Sequence, residues 1–168
     1  MSSMLPPGDQ PVAASAATTG MLDATGMPQT SGQQSGTRSI MVIDDSLAVR
    51  KVIEASFARV GLPVSAYPDG ITAIQALSRG EVEVPDLVLL DIGLPKMDGY
   101  QVAGILRNND AFRNTTVVML SSHDGVVDRV RSRMVGARDF IPKPFRVSDV
   151  VSIVRTHLRL PLPHDPSR

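Results

Sequence analysis

The chain has 168 residues, no net formal charge, 42% hydrophobic and 20% charged residues, which is typical of one globular domain with a good core. Because it contains no cysteine, disulfides, thiolate metal sites and cysteine nucleophiles are excluded. The zero net charge argues against a nucleic-acid partner. No apolar run approaches the roughly 20 residues that span a bilayer, and the N-terminus lacks the pattern of a secretory signal. We therefore expect a cytoplasmic protein without membrane insertion.

Residues 1–38 are rich in Ser, Thr, Gly, Gln, Ala and Pro, and contain neither Ile nor an aromatic residue. Such a segment buries too little apolar surface to offset the entropy lost on ordering. We predict a disordered N-terminal tail over 1–38, one domain over 39–159, and a short C-terminal tail over 160–168.

Strand patterns alternate with helix patterns five times along the domain. The predicted strands are 39–43, 63–67, 87–91, 116–120 and 138–141. The predicted helices begin after Ser46, Asp69 and Asp98, at Val126 and near Ser148. This alternation predicts an α/β fold, a doubly wound parallel sheet of five strands with right-handed crossovers.

Apolar residues recur at helical spacing and indicate which helix faces meet the core. In the first helix these are Val49, Val52, Ile53, Phe57 and Val60; in the second Ile71, Ile74 and Leu77; in the last Val150, Val151, Val154 and Leu158.

The apolar run Leu87–Leu90 has no polar break and reads as a strand buried on both faces. It ends on Asp91, and a loop containing Gly93, Pro95 and Gly99 follows. Three other strands also end on polar groups, namely Asp44 with Asp45, Ser121, and Lys143. Because parallel strands end at the same edge of a sheet, these side chains are expected to converge there.

Three carboxylates within roughly 5 Å would repel by about 3 kcal/mol per ionised pair at an effective dielectric of 20, so a cation is expected among them. A set of oxygen donors favours Mg²⁺ or Ca²⁺ over Zn²⁺, and few protein ligands with room for water and phosphate oxygens indicate Mg²⁺. Carboxylate, Mg²⁺, hydroxyl and lysine together favour phosphoryl transfer. The nucleotide-binding patterns GxGxxG and GxxxxGK[ST] are absent.

Four segments occur in a specific order: VIDDS at 42–46, LVLLDIGLPKMDG at 87–99, VVMLSS at 117–122 and KPF at 143–145. With them the chain resembles the receiver domain of two-component response regulators, which implies a flavodoxin-like (βα)5 fold over about 39–159. We expect no output domain after it, which is similar to the stand-alone chemotaxis regulators. The phrases DGYQ, RNNDAFRNT and MLSSHDG resemble the pilus-associated, twitching-motility branch of that group.

The resemblance implies a phosphoacceptor and a metal site. Asp91 is the implied phosphoacceptor, Asp45 the implied direct Mg²⁺ ligand, and Asp44 a ligand acting mainly through bound water. The backbone carbonyl of Gly93 is the implied third protein ligand.

The resemblance also implies a switch. Ser121 is the implied switch hydroxyl, Lys143 the implied phosphate partner, and Phe140 occupies the family's aromatic switch position. The Lys143–Pro144 peptide is expected to be cis. This chain has Ser where Thr is commoner and Phe where Tyr is commoner, and Phe140 has no hydroxyl to donate.

The resemblance implies that a sensor histidine kinase supplies the phosphoryl group and that a downstream protein binds the face formed by 126–159. The phrases that resemble the pilus branch imply a kinase of chemotaxis type. We expect no enzyme activity beyond the chain's own phosphorylation and dephosphorylation. A phosphate sink or adaptor is one alternative. An Asp-nucleophile phosphatase of the haloacid dehalogenase type is another, although its general acid, two residues after the nucleophile, is replaced here by Gly93.

Several other polar and aromatic residues have ordinary explanations. His123 has no second histidine nearby to share a metal, and the arginines of 129–133 are interpreted as a solvated helix face rather than a nucleic-acid patch. Tyr100 and Phe112 are interpreted as packing residues.

Overall fold

The computed structural model describes residues 38–123 and 125–160, and its five strands form one parallel sheet. The strands are β1 (Ile40–Ile43), β2 (Val64–Tyr67), β3 (Leu87–Asp91), β4 (Thr116–Ser121) and β5 (Asp139–Pro142). Their order across the sheet is β2-β1-β3-β4-β5, and every neighbouring pair is parallel. The structure confirms the predicted doubly wound α/β fold.

Among the described residues, five α-helices connect or follow these strands: α1 (Leu47–Ala58), α2 (Gly70–Ser78), α3 (Gly99–Arg107), α4 (Val126–Met134) and α5 (Val147–Leu158). The predicted caps Ser46, Asp69 and Asp98 each accept a hydrogen bond from the backbone N–H three residues later. A short 3-10 helix, Asp110–Phe112, precedes β4. None of the helices in the described part of the chain is long and apolar enough to cross a membrane.

Most of each predicted tail, residues 1–37 and 161–168, lies outside the described residues. The two tail residues that are described contact the domain. Nη1 of Arg38 lies 3.2 Å from Oδ1 of Asp86, and Leu160 packs half-buried against the core.

The central strands β1 and β3 are buried along their whole length because helices cover both faces of the sheet. Alternate side chains of these strands enter two cores on opposite faces. One core contains Ile40, Val42, Leu87 and Leu89 with residues of α1 and α5; the other contains Met41, Ile43, Val88 and Leu90 with residues of α2 and α3.

The helix faces follow the sequence pattern only in part. The prediction for α5 is confirmed, since Val150, Val154 and Leu158 are buried and Val151 is half-buried. In α2 the smaller residues Ala73 and Ala76 are buried, while the predicted Ile71, Ile74 and Leu77 are half-buried.

The prediction was wrong for two valines near α1, because Val52 and Val60 are each 44% exposed. Val52 precedes the buried Ile53, so it lies about 100° further round the helix and beyond the edge of the apolar stripe. Val60 follows the end of α1 at Ala58 and no longer obeys the helical period.

Helix α3 begins in close contact with the end of β3. The N–H of Gly99 donates to the carbonyl oxygen of Ile92 at 3.0 Å. A Cβ atom on Gly99 would lie 2.3 Å from the carbonyl oxygen of Asp91, so only glycine fits there. This approach fixes the loop 92–98 beside Asp91.

Two glycines of α3 provide a matched test. Gly99→Ala should lower the free energy of unfolding by about 1–3 kcal/mol, because backbone atoms must move to admit the methyl group. Gly104→Ala, where an added Cβ meets no atom within 4 Å, should raise it by about 0.5–1 kcal/mol. Urea denaturation followed by circular dichroism measures both. Equal stability of the two variants would contradict the close approach at Gly99.

Candidate functional site

Three carboxylates meet at the carboxyl edge of the sheet. Asp44 directly follows β1 and Asp91 ends β3, and these strands pair in register up to Ile43 and Leu90. Asp45 joins them, with one carboxylate oxygen of each residue within 4.8 Å of the others. Asp44 and Asp91 are buried and Asp45 is exposed. The predicted convergence is therefore present in the fold.

The ammonium group of Lys143 lies between the two buried carboxylates. Its Nζ is 2.6 Å from Oδ2 of Asp44 and 3.2 Å from Oδ2 of Asp91. The backbone positions it, because the N–H of Lys143 donates to the carbonyl oxygen of Ser121 at 2.6 Å. The Lys143–Pro144 peptide is cis, as the resemblance implied.

Backbone and arginine contacts hold the carboxylates in place. Oδ1 of Asp44 accepts from the N–H of Ser46 at 2.9 Å, and Oδ1 of Asp91 accepts from the N–H of Gly93 at 3.3 Å. Nη1 of Arg50 donates to the carbonyl oxygens of Asp44 at 2.6 Å and Asp45 at 3.1 Å. Sequence reasoning missed Arg50, because nothing distinguishes it from other basic residues in a first helical turn.

Burial and neighbouring charges shift the pKa values of Asp91 and Lys143. Burial raises the pKa of Asp91, Asp44 adds to that shift, and the smaller opposing effect of Lys143 does not cancel it. Burial alone would lower the pKa of Lys143, but the hydrogen bond and charge of Asp44, with the charge of Asp91, raise it above its ordinary value. Lys143 therefore remains protonated, and one ammonium faces three carboxyl groups.

The donor set of the cluster fits a hard divalent cation. Asp44, Asp45 and Asp91 offer only oxygen ligands and exceed the charge that Lys143 balances, which suits Mg²⁺. Gly93 lies beside Asp91 through its N–H, and the role of its carbonyl oxygen as a ligand stays a prediction. His123 is exposed and is not part of this cluster, the one group of potential metal ligands found in residues 38–123 and 125–160.

Ser121 ends β4, beside the end of β3, and is only 2% exposed. Its Oγ accepts a hydrogen bond from the N–H of His123 at 3.0 Å. A hydroxyl can accept and donate at once, so its hydrogen remains a donor for a group bound at Asp91.

Phe140 lies half-buried in β5 and packs against the core on the α3 face. The guanidinium carbon of Arg129, on α4, lies 5.3 Å from the centre of its ring. The guanidinium carbon of Arg131 lies 4.2 Å from the ring centre of Tyr100. The solvated-face interpretation of these arginines was therefore incomplete, because two of them cover aromatic rings while staying exposed.

Tyr100 and Phe112 pack against the core as predicted. No sequence pattern indicated that the hydroxyl of Tyr100 also donates to Oδ1 of Asp128 at 3.0 Å. These partners are 28 positions apart, and only the packing of α3 beside α4 brings them together.

Residues 40–155 match the family described as the response regulator receiver domain, and the chain belongs to this family. The sequence is 36% identical over 126 residues to protein PilG of Pseudomonas aeruginosa, a match that covers 75% of this chain and 91% of PilG. It is 33% identical to the probable transcriptional regulator ycf27 of Cyanophora paradoxa, of which it spans about half the length (48%). Among solved structures, the beryllofluoride-activated N-terminal receiver domain of Klebsiella pneumoniae RstA matches with a TM-score of 0.64 and 31% identity, covering 73% of this chain and 99% of that domain.

The raised pKa of Asp91 predicts a pH-dependent cost to stability. The native protein holds the Asp91 proton more tightly than the unfolded chain, so ionisation of Asp91 lowers stability as the pH rises above about 4. In Asp91→Asn the side chain keeps the shape of the protonated, uncharged aspartic acid and cannot ionise. Without metal, this variant should unfold at a higher urea concentration than the unsubstituted protein at pH 7, and this difference should narrow as the pH falls towards about 4 and be absent below it.

Glu83→Gln is the control for this pH experiment, because Glu83 is exposed and lies outside the cluster. It should stay within about 0.5 kcal/mol of the unsubstituted protein at both pH values. A gap for Asp91→Asn that does not change with pH would contradict the electrostatic account of Asp91.

Proposed function

We propose that this receiver domain is a phosphoacceptor response regulator, which takes a phosphoryl group from a sensor histidine kinase onto Asp91. The observation that supports this most is the pairing of one lysine with two buried carboxylates, Asp44 and Asp91, beside the exposed Asp45. The site combines a nucleophile, a fixed cation and an oxygen donor set for a metal in one small volume.

In the proposed reaction, a carboxylate oxygen of Asp91 forms a bond to phosphorus while the phosphorus–nitrogen bond of the donor histidine breaks and the imidazole leaves. Lys143, 3.2 Å from Asp91, moves from carboxylate to phosphate oxygen and stays within the cluster. Ser121 donates its hydroxyl hydrogen to another phosphate oxygen. Mg²⁺, held by Asp44, Asp45 and Asp91, would supply additional positive charge at the phosphate oxygens when bound.

We propose that the protein catalyses only its own phosphorylation and dephosphorylation. The position two residues after Asp91 is Gly93, whose N–H contacts Asp91 but which has no side chain to protonate a leaving group. This supports a receiver function over an Asp-nucleophile phosphatase.

The surface around α4, β5 and α5, within 126–159, is the proposed binding face for a downstream protein. Val126, Val127, Val130 and Met134 of α4 are between 52% and 77% exposed. Exposed apolar side chains beside Arg129 and Arg131 suit a partner that is both apolar and acidic. Ser121 and Phe140 are the proposed switch between Asp91 and this face.

We further propose a chemotaxis-type kinase, a role in twitching motility and a cytoplasmic location. The support is the 36% identity with PilG, in a match that covers 91% of that protein, and the resemblance of the phrases DGYQ, RNNDAFRNT and MLSSHDG to the pilus branch. The absence of a hydroxyl on Phe140 favours a second candidate, a phosphate sink or adaptor, in which Asp91 is phosphorylated without a strong response at the 126–159 face.

Substitution of the carboxylates tests the chemistry. Asp91→Asn should abolish acid-labile labelling by radioactive acetyl phosphate, because no nucleophilic oxygen remains. Asp45→Ala should abolish Mg²⁺ binding, measured by calorimetry, together with labelling. Full labelling of Asp91→Asn would assign the nucleophile to another residue.

Substitution of the hydroxyl tests the switch. Ser121→Ala should still be phosphorylated at Asp91, but amide exchange over 126–141 should respond much less to Mg²⁺ and beryllofluoride than in the unsubstituted protein. The exposed neighbour Ser122, changed to Ala, is the matched control and should respond fully. An equal response from both variants would exclude the Ser121 hydroxyl as the coupling group.

A further inference from the structure

Tyr100 is the second residue of α3, and its neighbour Gly99 contacts the backbone of Asp91, the proposed phosphoacceptor. The preceding Gly99 donates its N–H to Ile92 and approaches the carbonyl oxygen of Asp91 too closely to admit a side chain. Tyr100 itself is buried at 6% exposure. A displacement of the backbone after Asp91 therefore has to move the start of α3, and Tyr100 with it.

At its other end, Tyr100 contacts α4. Its hydroxyl donates to Oδ1 of Asp128, in the first turn of α4, at 3.0 Å. The guanidinium carbon of Arg131, almost one turn later, lies 4.2 Å from the ring centre. One aromatic side chain thus binds an acidic and a basic residue of the same helix.

Helix α4 has few other contacts that could fix its position. Its one buried residue is Ser132, and its N-cap Gly125 provides no side-chain hydrogen bond. Its apolar side chains Val126, Val127, Val130 and Met134 are exposed rather than packed on the sheet. Arg129 lies over the ring of Phe140, and at the C-terminal end Arg107 donates to the carbonyl oxygen of Met134. The contacts with Tyr100 are therefore a large part of what holds the N-terminal half of α4.

The phenol of Tyr100 is suited to act as a permanent donor. Burial, and then the hydrogen bond to Asp128, raise the pKa of Tyr100 above its ordinary value, despite smaller opposing effects of Ser132 and Arg131. Tyr100 therefore stays protonated at neutral pH and keeps its hydrogen bond.

We propose that Tyr100 is a positioning residue that couples the backbone after Asp91 to α4 through Asp128 and Arg131. This connection runs through α3, and the full response of α4 requires both it and the connection through Ser121 and Phe140. The inference rests on the proposed function, since it concerns what phosphorylation of Asp91 does to α4. Because coupling is reciprocal, a partner that binds and orders α4 would also favour the phosphorylated state of Asp91 through Tyr100.

The test compares the only two tyrosines of the chain. Tyr100→Phe removes the hydroxyl that bonds Asp128, whereas Tyr67→Phe removes the same atom from a half-buried tyrosine at the end of β2. In the resting protein, Tyr100→Phe should speed amide exchange over 126–134 by about fivefold, the factor that corresponds to one lost hydrogen bond. It should also greatly reduce the change in that exchange on adding Mg²⁺ and beryllofluoride. Tyr67→Phe should change neither.

Two further variants separate coupling from simple stability. Asp128→Asn keeps an oxygen that can accept from Tyr100 and should retain most of the activation response, whereas Asp128→Ala should lose it as Tyr100→Phe does. The double variant Tyr100→Phe/Asp128→Ala should be no worse than either single variant, because both remove one interaction. A purely structural role would lower the urea midpoint while leaving the activation response unchanged, and that result would overturn the proposal.

Labelling with acetyl phosphate distinguishes failure of this inference from failure of the proposed function. If the unsubstituted protein is labelled at Asp91 and Tyr100→Phe responds to beryllofluoride fully over 126–134, the coupling through Tyr100 is wrong and the receiver function stands. If the unsubstituted protein is not labelled at Asp91, the proposed function fails, and the coupling inference fails with it.

Discussion

The position of one ammonium group, Nζ of Lys143, determines how the rest of this site is organised. It lies within 3.2 Å of two buried carboxylates, Asp44 and Asp91, that would otherwise repel each other with little solvent to screen them. Removal of such a partner commonly costs several kcal/mol, because it leaves buried charge without compensation. Asp45 adds a third carboxylate, so the single charge of Lys143 does not neutralise the cluster, and the remaining negative charge makes the site suitable for Mg²⁺.

The fold supplies the parts of the site from the ends of four strands. These strand ends are packed more tightly than the neighbouring helix α4. The central strands β1 and β3 lead into the carboxylates, while β4 and β5 supply Ser121 and Lys143 at the same edge. Gly99 closes the loop after Asp91 against the strand backbone. By contrast, α4 buries only Ser132 and exposes its apolar side chains. A firmly packed site beside a loosely held helix is the arrangement expected of a switch, because the elements that move are those of low local stability.

The sequence predicted the strands, the caps and the convergence of the polar residues, because these depend on local patterns and on the common edge of a parallel sheet. The apolar run before Asp91 and the caps Ser46, Asp69 and Asp98 are examples. The exposure of Val52 was missed, because a single valine beside an apolar stripe fits the helical period almost as well as its buried neighbour Ile53. The contacts of Arg50 with two carbonyl groups and of Tyr100 with Asp128 were missed, because they depend on side-chain direction and on the packing of separate elements.

The central claim is that Asp91 is the nucleophile. The most direct test is to identify chemically which residue carries the phosphoryl group. Borohydride reduces an aspartyl phosphate to homoserine, so the reduced, digested protein can be sequenced by mass spectrometry after reaction with acetyl phosphate and Mg²⁺. The account predicts homoserine at position 91, with Asp44 and Asp45 unchanged and no conversion when Mg²⁺ is withheld. Homoserine at position 44 or 45, or conversion at 91 that does not depend on Mg²⁺, would contradict it.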